Sequence, residues 1–224
     1  GFARDREFVC ISKTASVLTH KLVSDEKTRS YFPFDFKLYI THRLEERQLS
    51  VEWKVVNTSG EIMYFTIGGH PGFRVPIWEG SRQADYYLLF QKGPALKYKL
   101  VYGDSGTADA AREYTLNLEE ADGYYRCPIT EHMFDRDALI FDDTQVEWVG
   151  ISYPDGTPYI VMECEGFTNF GIWTMPGGPY ICLEPWMGRC DDYGFAGDIS
   201  DKKDVITLKE GETFDKSYRM TFYK

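Results

Sequence analysis

The sequence predicts an all-β fold, a large antiparallel sandwich formed by one domain. Three observations support this: apolar and polar residues alternate with a period of two in many short runs, helical patterns are weak, and turn-forming residues bound most runs. In residues 47–56, polar side chains separate Leu49, Val51, Trp53 and Val55, which gives a strand one core face and one solvated face. Many short strands with almost no helix are typical of a sandwich.

The individual elements follow from the same alternation. Residues 36–40 and 47–56 are joined by the polar link 45–48 and predict a β-hairpin. Residues 107–112 and 131–134 are weak helical candidates, and the Gly- and Asp-containing region 93–125 predicts a loose surface segment. The remaining strand-like runs are 7–12, 15–22, 61–67, 86–91, 145–151, 159–164, 180–183 and 216–223.

Length, charge and cysteine content limit the class of protein. The chain has 224 residues with 25 Lys+Arg, 35 Asp+Glu and a formal charge of −10. It contains no cluster of basic residues, so we do not expect a nucleic-acid partner. It has no linker, no repeat and no apolar run of the roughly 20 residues that a membrane helix needs. Five cysteines without a C-x-x-C pair predict reduced thiols in a cytoplasmic protein.

His70 is the strongest candidate for proton transfer among the four histidines. It lies in Ile-Gly-Gly-His-Pro-Gly-Phe at 67–73, where glycines allow another group to approach and Pro71 stiffens the backbone. Imidazole titrates near neutrality, which suits a general acid or base. The alternative is a hydrogen-bonded turn histidine. His20 and His42 lie in or next to alternating strands, where an ordinary strand residue is expected.

Glu184 is the strongest candidate for a general base. It lies in Tyr-Ile-Cys-Leu-Glu-Pro-Trp at 180–186, after an apolar strand, where partial burial is expected to raise the carboxyl pKa. The alternatives are a carboxylate that ends a strand or one that pairs with an arginine such as Arg189.

Several aromatic and acidic residues lie near these two segments. Phe73, Trp173 and Trp186 are placed at strand ends, where they could stack on the C–H faces of a sugar or could instead belong to the core. Asp137 and the pair Asp191-Asp192 follow or precede apolar runs, but no calcium-loop pattern is present, so solvated turns are favoured. Nucleophile-elbow, H-E-x-x-H, P-loop and dinucleotide motifs are missing, and we expect neither a cofactor nor a metal.

Four ordered motifs carry a resemblance to a known family. The sequence resembles the aldose 1-epimerase (galactose mutarotase-like) family, and within it the bacterial mutarotase-related branch. The resemblance implies a β-supersandwich as a single domain over residues 1–224 and interconversion of the α and β anomers of an aldohexose without a cofactor. The motifs are Gly-Phe-Ala-Arg-Asp-Arg-Glu-Phe at 1–8, the His70 motif, Asp-Ala-Leu-Ile-Phe at 137–141 and Ile-Cys-Leu-Glu-Pro-Trp-Met-Gly-Arg at 181–189.

The resemblance also implies roles for matching residues. His70 corresponds to the general acid, Glu184 to the general base and Asp137 to an aspartate that binds sugar hydroxyls. Arg4 matches a phosphate-binding motif of relatives that act on hexose 6-phosphates, although a surface salt bridge is an alternative. Family members carry strands, an arginine and a second histidine before the position of Gly1, so we expect the N-terminal strands of the sandwich to be missing here.

Three functions therefore stay open at this point. The first is a mutarotase for a hexose or its 6-phosphate, acting as a monomer or homodimer on a small sugar. The second is a carbohydrate-binding protein without turnover, which would need neither His70 nor Glu184 as a proton carrier. The third is glycoside hydrolysis by Glu184 and Asp137, which requires two carboxylates at a set separation.

Overall fold

The regular secondary structure of the protein consists almost entirely of antiparallel β-strands. The computed structural model describes residues 1–91 and 93–223. Within these residues the one α-helix, α1 (Glu26–Arg29), is a single turn. The strands are β1 (Val9–Lys13), β2 (Val17–Val23), β3 (Phe36–Glu45), β4 (Gln48–Asn57), β5 (Met63–Phe65), β6 (Ile67–Gly68), β7 (Gly72–Arg74), β8 (Tyr87–Phe90), β9 (Ala95–Tyr98), β10 (Tyr114–Asn117), β11 (Glu119–Ala121), β12 (Tyr124–Pro128), β13 (Leu139–Phe141), β14 (Trp148–Ser152), β15 (Pro158–Glu163), β16 (Asn169–Trp173), β17 (Tyr180–Met187), β18 (Ile206–Leu208) and β19 (Thr213–Phe222).

Ten strands form the larger sheet, in the order β1-β2-β3-β4-β19-β15-β14-β8-β12-β11. The predicted hairpin is confirmed as β3 and β4, paired from Phe36 opposite Asn57 to Glu45 opposite Gln48. Glu46 adopts a φ of 52° in the tight link between the two strands. The long alternating runs therefore occupy the middle of this sheet, where each can bury one face.

A five-stranded sheet packs over part of the larger one. Its order is β13-β16-β17-β6, and β7 also pairs with β17. The main core lies between the two sheets, which confirms the predicted sandwich. From the larger sheet it contains Val51, Leu88, Val149, Ile160 and Met220, and from the smaller sheet Leu139, Phe141, Phe170, Ile172, Ile181 and Leu183.

A second, smaller core lies beside the first, where β2, β3 and β4 meet β5 and β18. The buried part of this cluster is Leu22, Phe34, Phe36, Leu38, Val55, Met63, Phe65 and Leu208. Phe2 packs against it, with ring contacts to Phe32 and Phe36 at 5.5 and 6.0 Å between centroids. The first residues of the chain are thus held close to the edge of this apolar cluster.

Three sequence expectations about elements were wrong. Residues 107–112 and 131–134 form turns rather than helices. The region 93–125 was expected to be loose, yet its described part includes β9, β10 and β11. The helix that does form, α1, is capped by Asp25, which accepts a hydrogen bond from the Thr28 backbone at 2.7 Å while the Thr28 hydroxyl accepts one from Asp25.

Candidate active site

One face of strand β17 carries Glu184 and several neighbouring candidate site residues. Side chains alternate along a strand, so Ile181 and Leu183 enter the main core while Cys182, Glu184 and Trp186 point to the opposite face. The neighbouring strands place Trp173 opposite Cys182 and Gly171 opposite Glu184. Directly opposite residues share a face, so these groups form one surface. The sequence placed Glu184 after the strand, and the structure corrects this because β17 continues to Met187.

Two glycines make room for Trp186 on this face. A Cβ added at Gly171 would lie 2.3 Å from Cζ2 of the Trp186 ring, and one added at Gly68 would lie 2.5 Å from Cδ1 of the same ring. The indole therefore extends over both flanking strands, and any larger residue at either position would displace it.

The backbone holds His70 against β17. Gly69 N donates to Pro185 O at 3.0 Å, and Leu183 N donates to Pro71 O at 3.2 Å. These two bonds anchor the chain on either side of His70 to the residues on either side of Glu184. The His70 Nε2 to Glu184 Oε1 distance is 3.3 Å as a result.

The environment of Glu184 favours its neutral form. Its side chain is 5% exposed, whereas that of His70 is 57% exposed. The pKa of Glu184 is raised to about 8, chiefly by burial; a hydrogen bond from the Trp186 side chain acts in the opposite direction, and the negative charge of Asp137 adds a smaller increase. The carboxyl group therefore titrates near neutral pH, where it can accept and release a proton.

A cavity of about 530 Å³ opens onto these groups. That volume lies within the range of about 300–1,000 Å³ that is usual for small-molecule sites. Its polar wall includes His70, Glu184 and Arg4, and Trp186 lies beside them. The apolar wall comes from the second core and includes Phe36, Leu38, Val55, Met63 and Phe65.

Comparison with known proteins identifies the family. The family model for aldose 1-epimerase matches residues 1–221. The chain belongs to the aldose 1-epimerase family. Protein LacX of Lactococcus lactis subsp. lactis is 25% identical over 223 residues, which cover 99% of this chain and 73% of LacX.

Solved structures of other proteins share this fold. A galactose mutarotase related enzyme from Lactobacillus acidophilus has a TM-score of 0.88 and 27% identity, and the match covers all of this chain and 73% of that protein. A galactose mutarotase-like protein from Lactobacillus casei has a TM-score of 0.83 at 24% identity, covering 100% of this chain and 75% of that one. The described residues of this aldose 1-epimerase family member contain no helix with the length and hydrophobicity of a membrane span.

Trp173 and Phe73, two of the predicted sugar-binding aromatic residues, lie on opposite faces of the smaller sheet. Trp173 is half-buried on the same face as Glu184, and its ring meets the edge of His70 with centroids 5.7 Å apart. Phe73 is 7% exposed and belongs to the main core. Alternation explains its burial: Gly72 lies opposite Cys182 on the site face, so the next residue, opposite Ile181, must point into the core.

Asp137 and Arg4 lie farther out. Asp137 is exposed with a φ of 70°, and one of its carboxylate oxygens accepts a hydrogen bond from the Ala138 backbone at 2.7 Å. Arg4 lines the cavity with a side chain that is 82% exposed, and its Nε lies 3.4 Å from Asp5. Its guanidinium group is therefore largely free to turn toward a ligand.

The alternative interpretation, in which Glu184 pairs with Arg189, is wrong. Arg189 is buried, and it donates from Nε to Asp142 at 2.8 Å and from Nη2 to Asp192 at 2.7 Å. Lys99 donates to the same Asp142 at 2.7 Å, and so does Asn169 at 2.8 Å. Because Arg189 is engaged elsewhere, it does not hold Glu184 in its ionised form.

Asp142 was not singled out by the sequence, although it anchors this network. It follows an apolar strand in the same way as many surface aspartates, so no local pattern distinguishes it. Its partners Lys99, Asn169 and Arg189 come from three distant parts of the chain, and only the fold brings them together.

One further set of groups on this face could hold a metal ion. The imidazole of His70, the thiol of Cys182 and the carboxylate of Glu184 offer ligand atoms that all lie within 4.8 Å of one another. Cys182 could not be identified from the sequence, because its thiol comes to lie beside His70 only through the pairing of β7 with β17.

Proposed function

We propose that this chain interconverts the α and β anomers of an aldohexose by acid–base ring opening. The observation that carries the proposal is the 3.3 Å approach of His70 Nε2 to Glu184 Oε1 at one wall of a sugar-sized cavity. Membership of the aldose 1-epimerase family supports an isomerase of this kind.

The reaction requires an acid and a base that converge on one carbon. Glu184 takes the proton from the anomeric hydroxyl while His70 donates a proton to the ring oxygen. The bond between C1 and the ring oxygen then breaks, the aldehyde turns about C1–C2, and closure with the opposite proton transfers gives the other anomer. Both oxygens are bonded to C1, so the two catalytic groups must lie close together, and such proton transfers typically contribute 10²–10⁴-fold each.

The pKa of Glu184 suits it to the role of base. An exposed glutamate carboxylate is a weak base at neutral pH, whereas a carboxyl with a pKa of about 8 binds a proton more strongly. In its ionised form, which is the minor form below about pH 8, Glu184 therefore takes up a hydroxyl proton more readily than the ionised glutamates on the solvated faces of the sheets.

The surrounding residues have positioning roles in this proposal. Trp186 and Trp173 offer apolar surface to the sugar ring, and Asp137 accepts hydrogen bonds from its hydroxyls. Arg4 binds a 6-phosphate where the substrate carries one, because guanidinium pairs with phosphate through two parallel hydrogen bonds. Phe73 acts from the core by holding β7 in place. We place the protein in the cytoplasm, because its five free thiols favour a reducing compartment. We also propose that residues 1–224 form one domain.

Exchange between the anomers of glucose and galactose, measured by NMR with saturation transfer, tests the proposal. The wild-type chain should accelerate exchange above the buffer rate, and Glu184→Gln should lower that acceleration by at least 100-fold. Glu120→Gln, a change at an exposed carboxylate on β11, is the matched control and should leave the rate unchanged. Saturable sugar binding without any acceleration would instead identify a carbohydrate-binding protein.

A further inference from the structure

His70, Cys182 and Glu184 form a compact set of three different metal-binding groups. Cys182 and Glu184 are two residues apart on β17 and share a face, and His70 is held opposite them by the backbone bonds of Gly69 and Pro71. The ligand atoms lie within 4.8 Å of one another, which is close enough for all three side chains to approach one ion.

The distance between two of these groups already matches a coordination shell. Nitrogen and oxygen ligands at about 2.0–2.1 Å from a tetrahedral ion are separated by about 3.3 Å. His70 Nε2 and Glu184 Oε1 are 3.3 Å apart. The backbone on both sides of the pair is anchored, so ion binding would require little rearrangement of the main chain.

The chemistry of the three groups selects the type of ion. Mg²⁺ and Ca²⁺ take oxygen ligands, whereas a thiolate, an imidazole and a carboxylate together suit Zn²⁺ and its softer analogue Cd²⁺. We propose that His70, Cys182 and Glu184 bind one thiophilic divalent cation, with the fourth position open to the cavity. On binding, a sulfur–metal bond forms, the thiol proton and the proton of the Glu184 carboxyl group pass to solvent, and the Glu184 carboxylate and the neutral His70 imidazole contribute lone pairs.

The cation would use the same groups that the proposed reaction needs. Glu184 could no longer accept a proton, and His70 could no longer donate one from Nε2, so the ion is expected to inhibit rather than assist. The site itself depends on geometry alone and does not depend on whether the chain has mutarotase activity. Direct binding measurements therefore separate failure of this inference from failure of the proposed function.

Cadmium titration tests the site directly. A Cys10→Ser background removes an exposed thiol, and the thiolate-to-cadmium absorption band in the ultraviolet then reports sulfur coordination. We expect one Cd²⁺ per chain, loss of the band in Cys182→Ser, and a fall in affinity of at least about 10–100-fold in His70→Gln or Glu184→Gln. Cys190→Ser is the matched control, because Cys190 lines the cavity beside His70 and Glu184 but lies outside the set, and this variant should keep the band.

Several results would overturn the inference. They are the absence of a band in the Cys10→Ser chain, an unchanged band in Cys182→Ser, and equal loss of the band in Cys190→Ser. Calorimetry with Zn²⁺ on His70→Gln adds a measurement that avoids altering a buried residue, since the His70 side chain is largely exposed. Unaltered Zn²⁺ affinity in that variant would also exclude the three-ligand site.

Discussion

Replacing Glu184 by glutamine should stabilise the fold at alkaline pH while it abolishes acid–base function. The pKa of Glu184 rises from 4.5 to about 8 mainly through burial. At about 1.4 kcal/mol per pKa unit, the ionised carboxylate is about 5 kcal/mol less stable in the folded protein than in the unfolded chain. Glutamine keeps the shape of the side chain but carries no ionisable group, so the folded Glu184→Gln variant is not destabilised by a buried charge at this position.

The direction of the pH effect follows from proton linkage. The folded state holds the Glu184 proton up to about pH 8, whereas the unfolded chain releases it near pH 4.5. Between these values the folded state binds more protons, so the contribution of Glu184 to the free energy of unfolding decreases as pH rises. From pH 5 to pH 8 the decrease is about 3 kcal/mol, a large share of the 5–15 kcal/mol that typically stabilises a domain.

Urea unfolding at pH 5 and pH 8 measures this effect. The stability of Glu184→Gln relative to wild type should be greater at pH 8 than at pH 5 by about 3 kcal/mol, and Glu120→Gln should show no such difference. The difference between variants isolates Glu184 from every other titrating group. A pH-independent difference between Glu184→Gln and wild type would refute the argument that burial keeps this carboxyl neutral.

Three further predictions test the surroundings of the site. Gly171→Ala should lower the free energy of unfolding by about 1–3 kcal/mol and shift Trp186 fluorescence, because the new methyl group meets the rigid Trp186 ring. Gly72→Ala should be tolerated, because the nearest atoms to its new methyl group would be 3.5 Å away. Equal melting temperatures for the two variants would contradict this prediction. Asp142→Ala should lower the free energy of unfolding, measured with denaturant, by about 3–5 kcal/mol because it leaves Arg189 buried without this partner. Glu52→Ala, which removes one member of an exposed ion pair, is the control and should cost less than about 1 kcal/mol of unfolding free energy. An equally small loss for Asp142→Ala would count against the prediction. Arg4→Gln should raise KM for a hexose 6-phosphate about tenfold and leave KM for the free hexose unchanged, and a parallel change for both sugars would remove Arg4 from phosphate recognition.

Much of the larger sheet was predictable from the sequence. The runs around β3, β4 and β19 alternate clearly because they lie in an antiparallel sheet with one face on the core. β13 and β16 were missed, and their burial explains why. Every residue of β13 and all but the last of β16 are buried, so their apolar runs lack the polar positions that mark a period of two.

The candidate site was predictable only in part. His70 and Glu184 were identified from short motifs, since proline and glycine beside a titratable group are visible locally. Phe73 looked like a ligand-facing aromatic, and only the pairing of β7 with β17 shows that it points into the core. Cys182 looked like an ordinary strand residue, and its approach to His70 also depends on that pairing.

By itself the sequence determined the alternation that specifies many of the strands, together with the two motifs that carry His70 and Glu184. Tertiary structure decided how these groups meet. Hydrogen bonds from Gly69 to Pro185 and from Leu183 to Pro71 set the distance between His70 and Glu184, and burial between the surrounding strands set the pKa of the carboxyl group. Both effects arise from residues that are remote in sequence, and electrostatic and packing energies depend on distance in space rather than on position along the chain.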